Sequence, residues 1–411
     1  MNILIVGHDT FENKGCQALI YSTITILYNT FEKTDFKVFS WDPDYDGSRY
    51  DLAGIECDFV LHRFNVNEFS PRNRFWLFLN DTLNIRTDKI LYAPQQFLDA
   101  LKWSDLVVVS GGDILADYGI AAVKHYFFPV AVALALKKGV FVFAQSISRY
   151  GDPALEKFAK HYLDRVSLIT TRERPSYDYM NELGVKAPVE LVSDPAFLLE
   201  PAGEEAVQSI VESENIRLNG EITIGFSVSK TVTRWGGGEQ TDFVESMAQA
   251  VDWLYEKYPG AGFLFVPHVT YRNDPENDDR VTAKDIYEKI THKHRVFLIQ
   301  GDYSCRESKA LIGLCDIFVG ARTHATIAST SQLIPTIALA YSIKAYGIME
   351  KVLDRERCVL PVKEFSAQRL VSMVDRLILE KKEIVASMTR QMDAIKKGSS
   401  LNGELAQKFF S

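Results

Sequence analysis

Short runs of β-branched, aliphatic and aromatic residues alternate with longer stretches of helical periodicity along the 411-residue chain. In the first half these runs are NILIVG, FKVFSW, FVLHRF, DLVVVSG, VFVFAQS, SLITTRE and VELVSD. Several are almost wholly apolar, as strands covered on both faces should be. Amphipathic segments such as residues 18–31 and 153–163 lie between them. Alternation of this kind predicts an α/β fold with a mainly parallel sheet. The pattern pauses over residues 195–220, which are acidic and turn-rich, and then restarts with TIGFSVS, GFLFVPHV, RVFLIQG, IFVGART and TIALAYS. The expected architecture is two Rossmann-like parallel-sheet domains facing a cleft, residues 1–200 and 201–366. A helical segment over 367–411, polar on one side, is expected to pack across both.

Composition narrows the partners. A formal net charge of −8 argues against general nucleic-acid binding, which calls for a basic face, but leaves room for a small local anion site. Cys16, Cys57, Cys305, Cys315 and Cys358 are scattered and form no CxxC pair, so reduced thiols are expected. The opening MNILIVGHDTF has no basic lead and reads as a first strand, not an export signal. The most apolar longer segment, residues 125–146, contains Pro129 and Lys137-Lys138-Gly139. It is expected to divide into a buried helix and a strand, not to span a membrane. A cytoplasmic protein follows as the expectation.

In open α/β sheets ligands sit beyond the carboxyl ends of the strands, so the residues that follow each strand carry the functional information. After the first strand come Gly7-His8 and the turn Asn13-Lys14-Gly15; after DLVVVS come Gly111, Gly112 and Asp113. Gln145 and Ser146 follow VFVFA, and Arg172 follows SLITT. The second half adds Ser227 to Lys230, His268, Gly320 to His324, and Tyr341 to Lys344. The sharpest cluster is GARTH. Arg322 and Thr323 open a helix whose free N–H groups and dipole favour an anion, Arg322 can grip a carboxylate or phosphate in two parallel bonds, and His324 can move a proton. The competing reading is an interdomain salt bridge for Arg322 and a helix cap for His324. Likewise Lys344 alone reads as a loop lysine, Arg172 as a partner of Glu173, Gly111-Gly112 as a tight turn and His268 as a rim histidine.

Together these residues resemble the polysaccharide pyruvyltransferase family. The strongest block is its Asp-x-x-x-Gly-x-Arg-x-His segment followed by a Pro-led strand and a Lys, matched by Asp316, Gly320, Arg322, His324, Pro335 and Lys344. A second block matches as Arg172, Glu173, Ser176, Asp194, Pro195 and Phe197; Asn13-x-Gly15 and Gly111-Gly112 are weaker. The chain departs from the family at Cys16, Asp113, Ala144-Gln145-Ser146 and Glu173, all on the first domain.

The resemblance implies a GT-B-like fold and transfer of the pyruvyl group of phosphoenolpyruvate to a sugar, commonly as a ketal across two hydroxyls. It implies His324 as general acid, and Arg322, Lys344, Arg172 and Thr323 as the groups that hold the donor. His8, Asn13, Gly111, Gly112, Gln145 and His268 are then candidates for the acceptor side or the rim of the cleft. With cations supplying the charge, no metal and no cofactor beyond the co-substrate are expected. The implied acceptor is a hexose of a bacterial surface polysaccharide or its lipid-linked precursor, which would bring the protein to the inner face of the plasma membrane. Two alternatives stay open: a GT-B glycosyltransferase using a nucleotide sugar, and a non-catalytic binding relative.

Overall fold

A computed structural model describes residues 1–62, 68–82, 91–218, 220–236, 240–340 and 358–411. The chain divides into two compact units. One comprises Met1–Phe11, Leu19–Pro195 and Lys397–Ser411; the other comprises Glu12–Ala18 and Ala196–Lys396. The N-terminal turn 12–18, expected in the first domain, belongs with the second unit, and the boundary falls at Pro195 where residue 200 was expected. Within the C-terminal segment the helix Lys381–Phe410 passes from the second unit into the first at Lys397.

The first unit is built on seven parallel strands: β1 Asn2–Val6, β2 Asp35–Ser40, β3 Cys57–Leu61, β4 Leu106–Val109, β5 Gly139–Gln145, β6 Leu168–Thr171 and β7 Val189–Leu191. Their spatial order is β3-β2-β1-β4-β5-β6-β7. All four residues of β4 are buried, and so is almost all of β1 and β5, which is why these runs carry no polar alternation. The helix Ile120–Ala135 covers one face with Val123, Phe127, Phe128 and the residues that follow. It continues past Pro129 and ends at Ala135, two residues before Lys137 turns into the left-handed region.

The second unit holds six parallel strands: β8 Ile222–Ser227, β9 Ala261–Phe265, β10 Val296–Leu298, β11 Ile317–Gly320, β12 Thr336–Ala340 and β13 Val359–Pro361, in the order β10-β9-β8-β11-β12-β13. Leu264, Val266, Leu311, Ile312, Phe318 and Ala325 form its core. The motif aspartate Asp316 stands at the amino end of β11. There it accepts from the Thr223 backbone N–H (2.8 Å) and from Lys381 Nζ (2.6 Å), so its work is to tie β8 and the C-terminal helix to the sheet.

In both sheets the strand order reverses beside the first strand, between β1 and β4 and between β8 and β11. Connections leave in opposite directions there, and the carboxyl ends open a crevice. The two reversal points place the residues described next. No helix among the described residues is long and apolar enough to cross a membrane. All five cysteines are free thiols.

Candidate functional site

In the second unit, β11 ends at Gly320 and the helix Thr323–Thr330 starts three residues later with Arg322 as its N-cap. Arg322 offers the helix no side-chain cap; its guanidinium turns to Asp279, with Nη2 2.8 Å from Oδ1 and Nε 3.3 Å from both oxygens. Asp279 is the first residue of the helix Asp279–Lys289 and is buried, and it also accepts from the backbone N–H groups of His268 (3.2 Å) and Val269 (2.9 Å). A buried carboxylate with those donors fixes the guanidinium in place. The salt bridge that sequence reading set against an anion site is thus present, and it is made within this unit.

The turn 12–18 completes the arrangement. Asn13 forms an antiparallel bridge with Val269, and the Lys14 N–H donates to the His268 carbonyl at 3.0 Å. Lys14 Nζ reaches Asp302 Oδ1 at 2.6 Å, and Thr270 Oγ1 meets the same oxygen at 2.8 Å. Asn13 Oδ1 accepts from the N–H groups of Gly15 (3.0 Å) and Cys16 (3.4 Å), capping the helix Lys14–Thr30. Gly15 lies against His324: a methyl group there would sit 2.5 Å from His324 Nδ1. Two helix N-termini therefore meet at one imidazole, and each brings the positive end of a dipole. Arg322, Thr323 and His324 are all half-buried, so a ligand can reach them.

Asn13 is accordingly corrected from the first domain's rim to the second unit, because the bridge to Val269 holds it there. His268 is 4% exposed and is part of this cluster. Burial, with His324, Arg322 and Lys14 adding to it, pushes its imidazole well below the usual histidine range, so the ring is neutral. Lys344 lies outside the described residues.

The first-unit candidates separate into interior and edge. His8 is 1% exposed and turns inward, with Nε2 2.8 Å from Asp46 Oδ2. Asp46 also accepts from Ser40, Thr10 and the Phe11 N–H, so it is the hub of a buried network. Gln145 is fully buried and donates to the carbonyls of Val109 and Phe143, both at 3.3 Å. Neither residue is a rim group, because each faces its own sheet's interior. Gly111 and Gly112 have φ of 144° and 89°, which only glycine adopts easily, and a methyl on Gly112 would come within 2.9 Å of Arg172 Nη1. Gly112 thus makes room for the arginine, and Gly111 for the Gly7 carbonyl.

Arg172 is 3% exposed. Its Nη1 donates to Asp194 Oδ2 at 2.6 Å and its Nε to Ser146 Oγ at 2.8 Å. Ser146 in turn donates to Glu173 at 2.8 Å, and Ser176 bonds the other Glu173 oxygen. Two of the family departures, Ser146 and Glu173, are therefore partners of one another. Nearer the edge, the half-buried Asp9 follows β1; Tyr126 Oη donates to both its oxygens, at 2.9 and 3.1 Å, and burial raises its carboxyl above the usual range. The Trp41 N–H donates to the Asp9 carbonyl at 2.7 Å, and the indole is 37% exposed.

Sequence reading missed Asp9, Lys14, Asp279 and Asp302. Asp9 and Asp302 each follow a strand, and the strand-end rule would have found them had every polar residue been kept; nothing local distinguishes Asp279 within NDDR.

The sequence profile described as polysaccharide pyruvyl transferase matches residues 13–343. The chain belongs to that family. Family membership makes it a transferase acting on polysaccharide. It is similar to the amylovoran biosynthesis protein AmsJ of Erwinia amylovora, 22% identical over 405 residues and 96% of each chain. Among solved structures it resembles a UDP-GlcNAc 2-epimerase from Neisseria meningitidis (TM-score 0.62, 13% identity, 99% of this chain and 100% of that one). It also resembles HepE of Anabaena, solved with UDP and glucose (TM-score 0.61, 12% identity, the whole of both chains). At such identities the likeness concerns the fold, which is GT-B-like.

Proposed function

We propose that the protein transfers the pyruvyl group of phosphoenolpyruvate to a sugar hydroxyl pair, forming a ketal on a hexose of a surface polysaccharide or its lipid-linked precursor. The observation that carries this reading is the meeting of two helix N-termini, Arg322 and Lys14 around the accessible His324 in the second unit. A donor with a carboxylate and a phosphate needs several positive groups and one acid, and this cluster offers both. Family membership and the likeness to an amylovoran biosynthesis protein support the same reading.

In this mechanism Arg322 and the Thr323 N–H end of the helix hold the donor's anionic oxygens, and His324 protonates its methylene carbon. The adjacent carbon becomes oxocarbenium-like, one sugar hydroxyl attacks it, the C–O bond to phosphate breaks, and a second hydroxyl closes the ring. One hydroxyl proton restores the acid and the other leaves with phosphate. Arg172 is left out of the donor clamp, because its guanidinium is buried against Asp194 and Ser146 whereas that of Arg322 is only half-buried.

The test is thermal stabilisation by phosphoenolpyruvate, pyruvate, UDP-glucose and GDP-mannose in parallel, on the wild type, Arg322→Ala and Arg322→Lys. A ligand at 100 times its Kd stabilises by roughly 2.7 kcal/mol. Phosphoenolpyruvate is expected to raise the wild-type Tm, and the alanine variant is expected to lose that rise relative to its own unliganded baseline. Stabilisation by a nucleotide sugar alone would make the protein a glycosyltransferase. Gly15→Ala provides an independent check, since its methyl displaces His324. Turnover should fall at least tenfold while Tm moves by only a few degrees, as measured by phosphate release and calorimetry.

A further inference from the structure

His268 lies in the second unit just beyond β9, with both backbone groups used: its N–H donates to Asp279 and its carbonyl accepts from Lys14. The side chain is a different matter. It is 4% exposed, and neither Nδ1 nor Nε2 has a hydrogen-bond partner among the described residues. A buried polar atom without a partner destabilises the fold, and native chains keep few of them. Packing alone gives no reason for an imidazole here, because a phenyl ring would fill similar space without stranding two nitrogens.

The surroundings supply a reason. The two residues that grip the His268 backbone also organise the cluster around His324: Asp279 positions Arg322, and Lys14 leads into Gly15, against which His324 packs. A second orphan stands on the same strand-end edge. Ser227 closes β8 in register with Gly320, is fully buried, and its Oγ has no partner among the described residues. Ser227 and His268 thus leave unmet polar atoms at the carboxyl ends of neighbouring strands, β8 and β9.

We infer that His268 is a ligand-contacting residue of the donor site, its ring hydrogen-bonding a phosphate or carboxylate oxygen of phosphoenolpyruvate. The inference rests on the donor reading above and adds to it a group that the family motifs leave out. A neutral imidazole presents one N–H and one lone pair. It can donate to an anionic oxygen while its other nitrogen accepts from a protonated phosphate oxygen or a donor hydroxyl.

The experiment compares the full-length wild type with His268→Phe and His268→Gln. It measures Tm without ligand and the affinity for phosphoenolpyruvate by calorimetry, with inorganic phosphate as a second probe. The phenylalanine variant is expected to melt at or above the wild type, since an unsatisfied group has been removed, and to bind phosphoenolpyruvate roughly 10- to 100-fold more weakly. Glutamine, which still donates and accepts, should recover part of the affinity. Phosphate weakened in parallel would assign the contact to the phosphate end; phosphate unaffected would assign it to the carboxylate. If the phenylalanine variant binds phosphoenolpyruvate as tightly as the wild type, the assignment is wrong. If it melts several degrees lower and glutamine restores only Tm, His268 is structural. If the wild type itself binds no phosphoenolpyruvate, the donor reading fails, and this assignment with it.

Discussion

His324→Gln is expected to lower turnover with phosphoenolpyruvate by ~10²- to 10⁴-fold, the usual effect of losing a positioned acid. That corresponds to about 2.7–5.5 kcal/mol on the barrier. The side chain is half-buried at the second position of its helix, and Arg322, not His324, is the N-cap, so removing the imidazole takes away no cap. Glutamine is close in size, keeps a donor, and leaves Arg322 and Asp279 untouched. Affinity for phosphoenolpyruvate and Tm should therefore stay near wild-type values while phosphate release collapses. Steady-state phosphate release with a competent acceptor, beside calorimetric binding of the donor, separates the two effects. Near-normal turnover in this variant would move the acid elsewhere in the cluster.

Arg172→Ala is expected to act on the fold. The substitution leaves Asp194 and Glu173 buried, 1% and 2% exposed, without their counter-charge. Breaking one side of a buried pair costs about 3–5 kcal/mol. At 2–4 °C per kcal/mol for a domain of this size, Tm should drop by roughly 6–20 °C. Asp194 is also tied to the C-terminal segment through Ser399, whose hydroxyl donates to the Asp194 carbonyl at 2.7 Å, so the loss should spread to residues 397–411. Thermal unfolding followed by circular dichroism, with hydrogen exchange over that segment, measures both. An unchanged Tm together with lost phosphoenolpyruvate binding would return Arg172 to the donor clamp that the family resemblance first implied.

These expectations rest on two kinds of information. The alternation of apolar runs with helical periods was sufficient for two parallel α/β sheets. Strands buried on both faces must be apolar throughout, and that constraint is written locally, residue by residue. The GARTH segment was legible for a similar reason: a strand, a tight turn and a helix start are contiguous in sequence, so the placement of Arg322, Thr323 and His324 at a helix N-terminus needs no long-range information.

Direction and partnership were not legible in this way. His8 and Gln145 follow or end strands just as site residues do, yet both turn into the interior. The acceptors that draw them there, Asp46 and the carbonyls of Val109 and Phe143, are set by packing between distant elements. The Asn13-Lys14-Gly15 turn opens the first long helix by sequence, but a bridge to Val269 and a bond to the His268 carbonyl place it in the other unit. Asp279 and His324 lie 45 positions apart in sequence, and only the sheet order β9-β8-β11 brings their loops to one edge. Local periodicity determines which segments become strands and helices, because burial and backbone geometry act within a few residues. Which polar atoms end up paired, and which are left facing a ligand, is decided by the tertiary structure, because a hydrogen bond depends on distances that only folding sets.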